Sequence, residues 1–253
     1  MPDLEVIFVP GTLMPPSCFD AVAVPVDVGA RTLDWMDAVR PCGLEATAAW
    51  VAGQIRPGRP AILVGHSTGG AIAALAALDH PGLVAGLVLI NSGPNMTGHG
   101  AVQGMLDRLT GPVDDAMWEG FARQNVPAGS PAEWIQAMVD YGRRVGGGQA
   151  AAVLADQAAA DLLDLPPLDG LPVEVLHGEL DVKRSVVDAE AWRRVFPEVH
   201  VVIEPGCGHT PPLERPEAVA AALDRVVSRA HIAARQAAPA RRPPPSAYGA
   251  SGQ

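Results

Sequence analysis

Residues Ala61-Ile62-Leu63-Val64-Gly65-His66-Ser67-Thr68-Gly69-Gly70-Ala71-Ile72 constrain this chain more than any other stretch. An apolar run ends at Gly65 and an alanine-rich helical pattern starts directly after Ser67, so the reading is strand, sharp turn, helix. Gly65-x-Ser67-x-Gly69 suits a turn tight enough to push the serine hydroxyl clear of both elements. Such a turn strains the serine backbone and leaves no room for side chains two residues before and after it, which glycine at both places removes. Ala71, Ala73, Ala74 and Ala77 let the helix lie close on a sheet. The pentapeptide alone is weak, because eight serines and 27 glycines in 253 residues give about 0.09 such matches by chance. Its flanks carry the weight.

Around this unit, apolar runs alternate with helical patterns. Residues 4–9 read as a buried strand that Pro10-Gly11-Thr12-Leu13 turns out of, and residues 31–36 read as a second, short strand. Residues 43–55 carry apolar side chains at helical spacing. Gly86-Leu87-Val88-Leu89-Ile90 is a fully apolar strand of the kind found inside a parallel sheet. Then the alternation stops. Helical patterns over 102–109, 114–123, 130–145 and 149–163 are separated by Gly-Pro, Val-Pro and Gly-Gly-Gly breaks, which predicts an inserted helical cap. Strand, helix, strand and helix resume over 172–177, 186–195, 199–203 and 216–228. The expected organisation is an α/β core of residues 1–94 and 170–228, a cap of 95–169, and a disordered Ala-, Arg-, Pro- and Ser-rich tail of 229–253. The core is expected to hold a mostly parallel sheet with helices on both faces.

Composition narrows the setting. The length suffices for one core with an insertion. No run of 18 apolar residues occurs, and Met1-Pro2-Asp3-Leu4-Glu5 has neither a basic region nor an apolar segment, so neither a membrane span nor a secretory signal is expected. Cys18, Cys42 and Cys207 are scattered and fit no metal-ligand spacing, a pattern that points to a reduced, cytoplasmic protein. Net charge is -10, and residues 229–253 carry four arginines and no acid, so the body is more acidic still. Nucleic acid and anionic membranes are unsuited partners, and a small molecule is the expected one.

Two further segments fall where Ser67 needs partners. His177-Gly178-Glu179-Leu180-Asp181 follows one strand and Gly208-His209-Thr210-Pro211 follows the next. Both therefore lie at carboxyl ends of strands, where open α/β sheets bind ligands. A serine hydroxyl is a poor nucleophile until a base takes its proton; histidine does this near neutral pH, and a carboxylate orients it. The order Ser67, Asp181, His209 matches one class of hydrolase, with Glu179 and Asp188 as rivals for the acid. His66 and His177 belong to elements that do not easily turn back on Ser67. The oxyanion formed on attack needs backbone N–H donors: Thr68 is one, and Thr12 or Leu13 is the other. Met105, Met117, Trp118, Phe121, Trp134, Met138 and Tyr141 supply an apolar pocket lining, with Trp118 and Met138, beside His66, as first choices. Arg143-Arg144 and Arg193-Arg194 read as solvated helix faces, so no basic cluster marks a site for an anionic substrate.

Val9-Pro10-Gly11-Thr12, Gly65-His66-Ser67-Thr68-Gly69-Gly70, Gly178-Glu179-Leu180-Asp181 and Gly208-His209-Thr210-Pro211 resemble the α/β-hydrolase superfamily over residues 4–228. The Gly-His-x-Pro-x-x-Glu-x-Pro-Glu run from Gly208 is especially similar. The resemblance implies a Ser–Asp–His triad, two backbone N–H donors, and no metal or organic cofactor. Two departures stand out: Pro10-Gly11 replaces the His-Gly of many members, and the first long strand starts at Leu4, where many members begin with an antiparallel hairpin. The expected activity is hydrolysis of an ester, thioester or lactone of a hydrophobic small molecule through an acyl-Ser67 intermediate. Alternatives on the same residues are a cofactor-free lyase, cyclase or C–C bond hydrolase, and a ligand receptor. The Ser-Thr-Gly-Gly elbow is also similar to that of the non-haem haloperoxidases, which adds peracid formation as a side activity.

Overall fold

The computed structural model describes residues 3–97 and 102–237. Its strands are β1 (Glu5–Val9), β2 (Gly29–Thr32), β3 (Ala61–His66), β4 (Val84–Ile90), β5 (Val173–Gly178) and β6 (His200–Glu204). They form one sheet in the order β2-β1-β3-β4-β5-β6, with every pair parallel. No antiparallel strand precedes β1 among the described residues. Strands β1, β3 and β5 are buried from end to end, because helices cover both faces, and their sequences accordingly read as runs rather than alternations. Helix α3 (Thr68–Asp79), with α2 (Leu44–Gln54) packed on it, lies over β1, β3 and β4. Helix α10 (Pro216–Ala237) lies over β3, β4 and β5. The winding direction reverses between β1 and β3, so the loops leaving them diverge and open a crevice at the carboxyl edge.

Two expectations need correction. The second strand occupies Gly29–Thr32, and Trp35–Ala38 instead form a short helix, α1. Strand β2 is an edge, with one neighbour and largely exposed side chains, so pairing with β1 rather than an apolar run decides its position. The expected tail also begins too early. Helix α10 continues through Arg229 to Ala237, anchored where Arg225 bonds Glu174 of β5, at 2.9 Å from Nε to Oε1, and where Arg229 bonds the Val173 carbonyl at 3.1 Å. Glu174 is wholly buried, and an unpaired buried carboxylate is costly, so it holds the helix beyond its expected end. Residues 238–253 of that tail lie outside the described residues.

Between β4 and β5 the described residues form four α-helices, α4 (Val102–Thr110), α5 (Asp115–Arg123), α6 (Ala132–Val145) and α7 (Gly147–Ala159). The base of the insertion is closed by an antiparallel bridge between Asn95 and Asp161, with Asn95 Nδ2 donating to Asp161 Oδ2 at 2.9 Å. Tyr141 of α6 donates to Asp34 at 2.6 Å. Asp156 of α7 accepts the Leu44 N–H at 2.6 Å, capping α2, whose own Gly43 has no side chain to do so. No helix among the described residues is long and apolar enough to cross a membrane.

Candidate active site

Ser67 sits between β3 and α3 with φ 52° and ψ -120°, a left-handed conformation that costs a non-glycine residue about 1–3 kcal/mol. The two motif glycines make this turn possible. A Cβ on Gly65 would lie 2.6 Å from Gly70 Cα, and one on Gly69 would lie 2.5 Å from the Pro10 carbonyl oxygen. The half-buried serine thus stands at the amino end of α3, where free N–H groups and the helix dipole favour negative charge.

Histidine 209 lies in the turn between β6 and α9 (Pro211–Glu214). Its motif has a mechanical meaning: Glu214 accepts the Gly208 N–H through Oε2 and the Thr210 N–H through Oε1, both at 2.7 Å, clamping the turn on either side of His209. His209 Nδ1–H donates to Asp181 Oδ2 at 2.8 Å, which leaves Nε2 as the ring nitrogen able to take a proton. Both rivals for the acid are engaged elsewhere. Glu179 accepts the Gly206 N–H at 3.0 Å, and Asp188 caps α8 (Val186–Ala191) through Ser185. Burial works to raise the Asp181 pKa, but His209 and the Lys183 and Arg184 N–H groups outweigh it and hold the carboxyl at about 2. Burial lowers the His209 pKa, assisted by the Lys183 and Arg184 charges and opposed by Asp181. Ser67 and His209 line one cavity of about 50 Å³, together with Thr12, Thr68, Gln157 and Lys183.

The loop after β1 meets the elbow from the other side. Thr12 Oγ1 donates to Thr68 Oγ1, which donates to Gln157 Oε1, each at 2.9 Å. Trp35 Nε1 of α1 holds the Pro10 carbonyl at 2.9 Å. The Leu13 N–H is taken by the Met36 sulfur at 3.1 Å, whereas the Thr12 N–H has no acceptor among the described residues. Thr12 and Thr68 are therefore the available pair of backbone donors. Among the described residues, no group of three His, Cys, Asp or Glu side chains is arranged to hold a metal ion.

This geometry has relatives. Residues 6–222 match the alpha/beta hydrolase family. The chain belongs to that family. Its fold is shared with a thermophilic esterase from Thermogutta terrifontis, at 22 % identity, TM-score 0.71 and 91 % coverage of both chains. It is shared too with an esterase from Exiguobacterium antarcticum, at 17 % identity and TM-score 0.74 over 91 % of this chain and 92 % of that one. The N-acyl homoserine lactonase AidH follows at 15 % identity and TM-score 0.69, covering 90 % of each chain. No curated protein matches the sequence.

Three expected pocket residues of this hydrolase lie elsewhere. Trp118 packs its ring on Gly142, and Met138 is buried among the insertion helices; neither lines the Ser67 cavity. Both fill the core of the insertion, because helix-to-helix packing there claims the large apolar side chains. His66 is fully buried behind the elbow, where Nε2–H supports the His209 carbonyl at 2.8 Å, and burial lowers its pKa to about 3, keeping it neutral. From the pocket lining read off the sequence, Met105 and Phe121 do reach the cavity. The expectation that no basic cluster marks the site also fails, since the adjacent Lys183 and Arg184 line it.

Asn91 escaped the sequence reading. It directly follows β4 with φ 44°, is wholly buried, and knits the neighbouring loops together. Its Nδ2 donates to Asp181 Oδ2 at 2.7 Å and to the Gly208 carbonyl at 2.8 Å, while its Oδ1 accepts the Gly178 N–H at 2.8 Å. The available signal was a polar residue at the carboxyl end of a central apolar strand. Asn91→Gly keeps the left-handed backbone without strain but removes all three bonds, and should lower kcat/KM by about 100-fold. A histidine must be neutral to take a proton, and burial lowers the His209 pKa, so the acid limb of the parent pH profile should lie below the ordinary histidine range. Loosening the site and freeing an Asp181 lone pair both favour the imidazolium, so the limb should move to higher pH in the variant. An unmoved limb with unchanged kcat/KM would remove Asn91 from the positioning machinery.

Proposed function

We propose that this hydrolase cleaves an ester, thioester or lactone of a small, largely hydrophobic molecule through an acyl-Ser67 intermediate. The observation that carries the reading is the Asp181–His209 hydrogen bond of 2.8 Å beside a strained serine that shares its cavity with His209. In the first half-reaction, Ser67 Oγ attacks the carbonyl carbon while His209 Nε2 takes the hydroxyl proton. The Asp181 carboxylate stabilises the imidazolium, and the Thr12 and Thr68 N–H groups receive the oxyanion; each such donor is worth about 3 kcal/mol in the transition state. The imidazolium then protonates the leaving alkoxide or thiolate. Water, deprotonated by His209, attacks the acyl carbon and releases the acid and Ser67. The names of two neighbours, both esterases, agree with this chemistry. A cleft of about 140 Å³ shares Met105 and Phe121 with the Ser67 cavity, and Leu109 and Met117, beside Arg108 and Gln124 in its lining, suit a largely apolar substituent, with the insertion helices acting as the cap over it. The buried free thiols of Cys18, Cys42 and Cys207 support a cytoplasmic setting.

The test is labelling with a serine-reactive fluorophosphonate, with the adduct located by mass spectrometry. An adduct on Ser67 that is lost in His209→Ala is the expected outcome. A folded protein that takes no adduct would overturn the reading and direct attention to ligand binding instead.

A further inference from the structure

The loop that carries Asp181 also delivers Lys183 and Arg184 to the cavity wall beside Ser67. Their backbone N–H groups bond Asp181 Oδ1 at 2.7 and 3.1 Å. Most residue types supply a backbone N–H, so the shape of this loop does not explain two cationic side chains. Among the described residues, neither side chain forms an ion pair with a carboxylate. The Lys183 ammonium gives one hydrogen bond, to the neutral Asn125 Oδ1 at 2.8 Å, and sits 5.3 Å over the Phe121 ring. Arg184, 4 % exposed, gives one to the Asn95 carbonyl at 2.6 Å. Asp181 Oδ2 is already bonded by His209 and Asn91. Asp188, whose charge also reaches Arg184, holds the Ser185 N–H and hydroxyl through Oδ2.

Gln157 adds a third donor to the same wall. It is 2 % exposed, its Oε1 is bonded by Thr68, and its Nε2 has no partner among the described residues. An ammonium carries three N–H groups and a guanidinium five, so most of the donors here lack a protein acceptor. Lys183 is half-buried and Arg184 buried, and the Asp181 and Asp188 charges near them are held by other donors, so such a cluster of unfilled donors around one small cavity describes a receptor for an anion. The cavity is small, about 50 Å³, and Ser67, His209 and these donors line it together, so an anionic group bound here lies close to the reacting carbonyl.

We infer that the substrate of the acyl-transfer reaction proposed above carries a carboxylate a few bonds from its scissile carbonyl, held by Lys183, Arg184 and Gln157. The enzyme is then selective for half-esters of short dicarboxylic acids, with the apolar alcohol part in the cleft behind Met105 and Phe121.

Two phenyl esters of equal acyl length test this: phenyl valerate, ending in methyl, and monophenyl glutarate, ending in carboxylate. Spontaneous phenol release is subtracted with the Ser67→Ala protein as blank. In the parent, kcat/KM for the glutarate should exceed that for the valerate by ~10-fold or more. Lys183→Met should lower that ratio by ~30-fold, acting on KM, and Lys183→Arg, which keeps the charge, should recover most of it. The ratio is taken within one preparation, so a poorly folding variant lowers both rates and leaves it unchanged; Lys183→Gln serves if the Met variant is not recovered. A parent ratio at or below one, or an unchanged ratio in the variants, overturns the inference, while valerate turnover and a fluorophosphonate adduct on Ser67 still uphold acyl transfer. If neither ester is cleaved and Ser67 takes no adduct, the acyl-transfer reading falls and the inference falls with it.

Discussion

Ser67→Ala should lower kcat for ester hydrolysis by about 10⁴- to 10⁶-fold while leaving the folded protein intact. The magnitude follows from the division of labour at the site. Without the hydroxyl there is no acyl intermediate, and His209 has no positioned proton to take. The N–H groups of Thr12 and Thr68 can still polarise a carbonyl, so a small residual rate above the uncatalysed one is expected. The fold is spared because alanine meets the same φ of 52° that serine already tolerates. The midpoint of thermal unfolding should move by no more than about 2 °C, as for a substitution that removes no structural bond. Activity within tenfold of the parent would place the reaction on another residue.

Gly69→Ala should act on the opposite side of that division, abolishing the fold rather than the chemistry. The new methyl group would lie 2.5 Å from the Pro10 carbonyl oxygen and 2.8 Å from the Val9 carbonyl carbon. These are backbone atoms, and β1 has no freedom to retreat, since it is hydrogen-bonded to β2 on one side and β3 on the other. Destabilisation above about 4 kcal/mol is expected, a large part of the whole stability of a domain of this kind. Gly53→Ala is the matched control. It lies within α2, a Cβ there meets nothing within 4 Å, and the change should stabilise by about 0.5–1 kcal/mol. Denaturant titration of the two variants decides the matter; equal midpoints would refute the steric account of the elbow.

What the sequence displayed well was local. The run from Ala61, the corner glycines and the alanine-rich helix are contiguous, and each part constrains the next. Asp181 and His209 were legible for the same reason, since each follows an apolar strand within a few residues. Features that depend on distant partners were not legible. Trp35 and Met36 read as strand because of their bulk, yet they form a helical turn whose indole and sulfur hold the loop from Pro10 to Leu13. Residues 229–237 were averaged with the proline-rich segment behind them, whereas Arg229 ties the continuing helix to Glu174 and to the Val173 carbonyl, partners far away in the chain. Asn91 follows β4, Gln157 lies in α7 and Lys183 lies in the loop after β5, and nothing periodic links them. Trp118 and Met138 illustrate the converse, large apolar side chains that suit a pocket by type but are consumed by packing.

Strands β4 and β5 are hydrogen-bonded neighbours, so the chain leaves the sheet after Ile90 and re-enters it at Val173 alongside its own point of departure. Topology therefore asks almost nothing of the excursion between them, and each doubling of such a loop costs only about 0.6 kcal/mol in closure entropy. A descendant of this gene can lengthen, trim or exchange that segment while Ser67, Asp181 and His209 stay fixed on β3, β5 and β6. The apolar part of recognition can thus change while the reacting residues stay constant, and transplanting residues 95–169 between homologues is the shortest experimental route to a new apolar cleft.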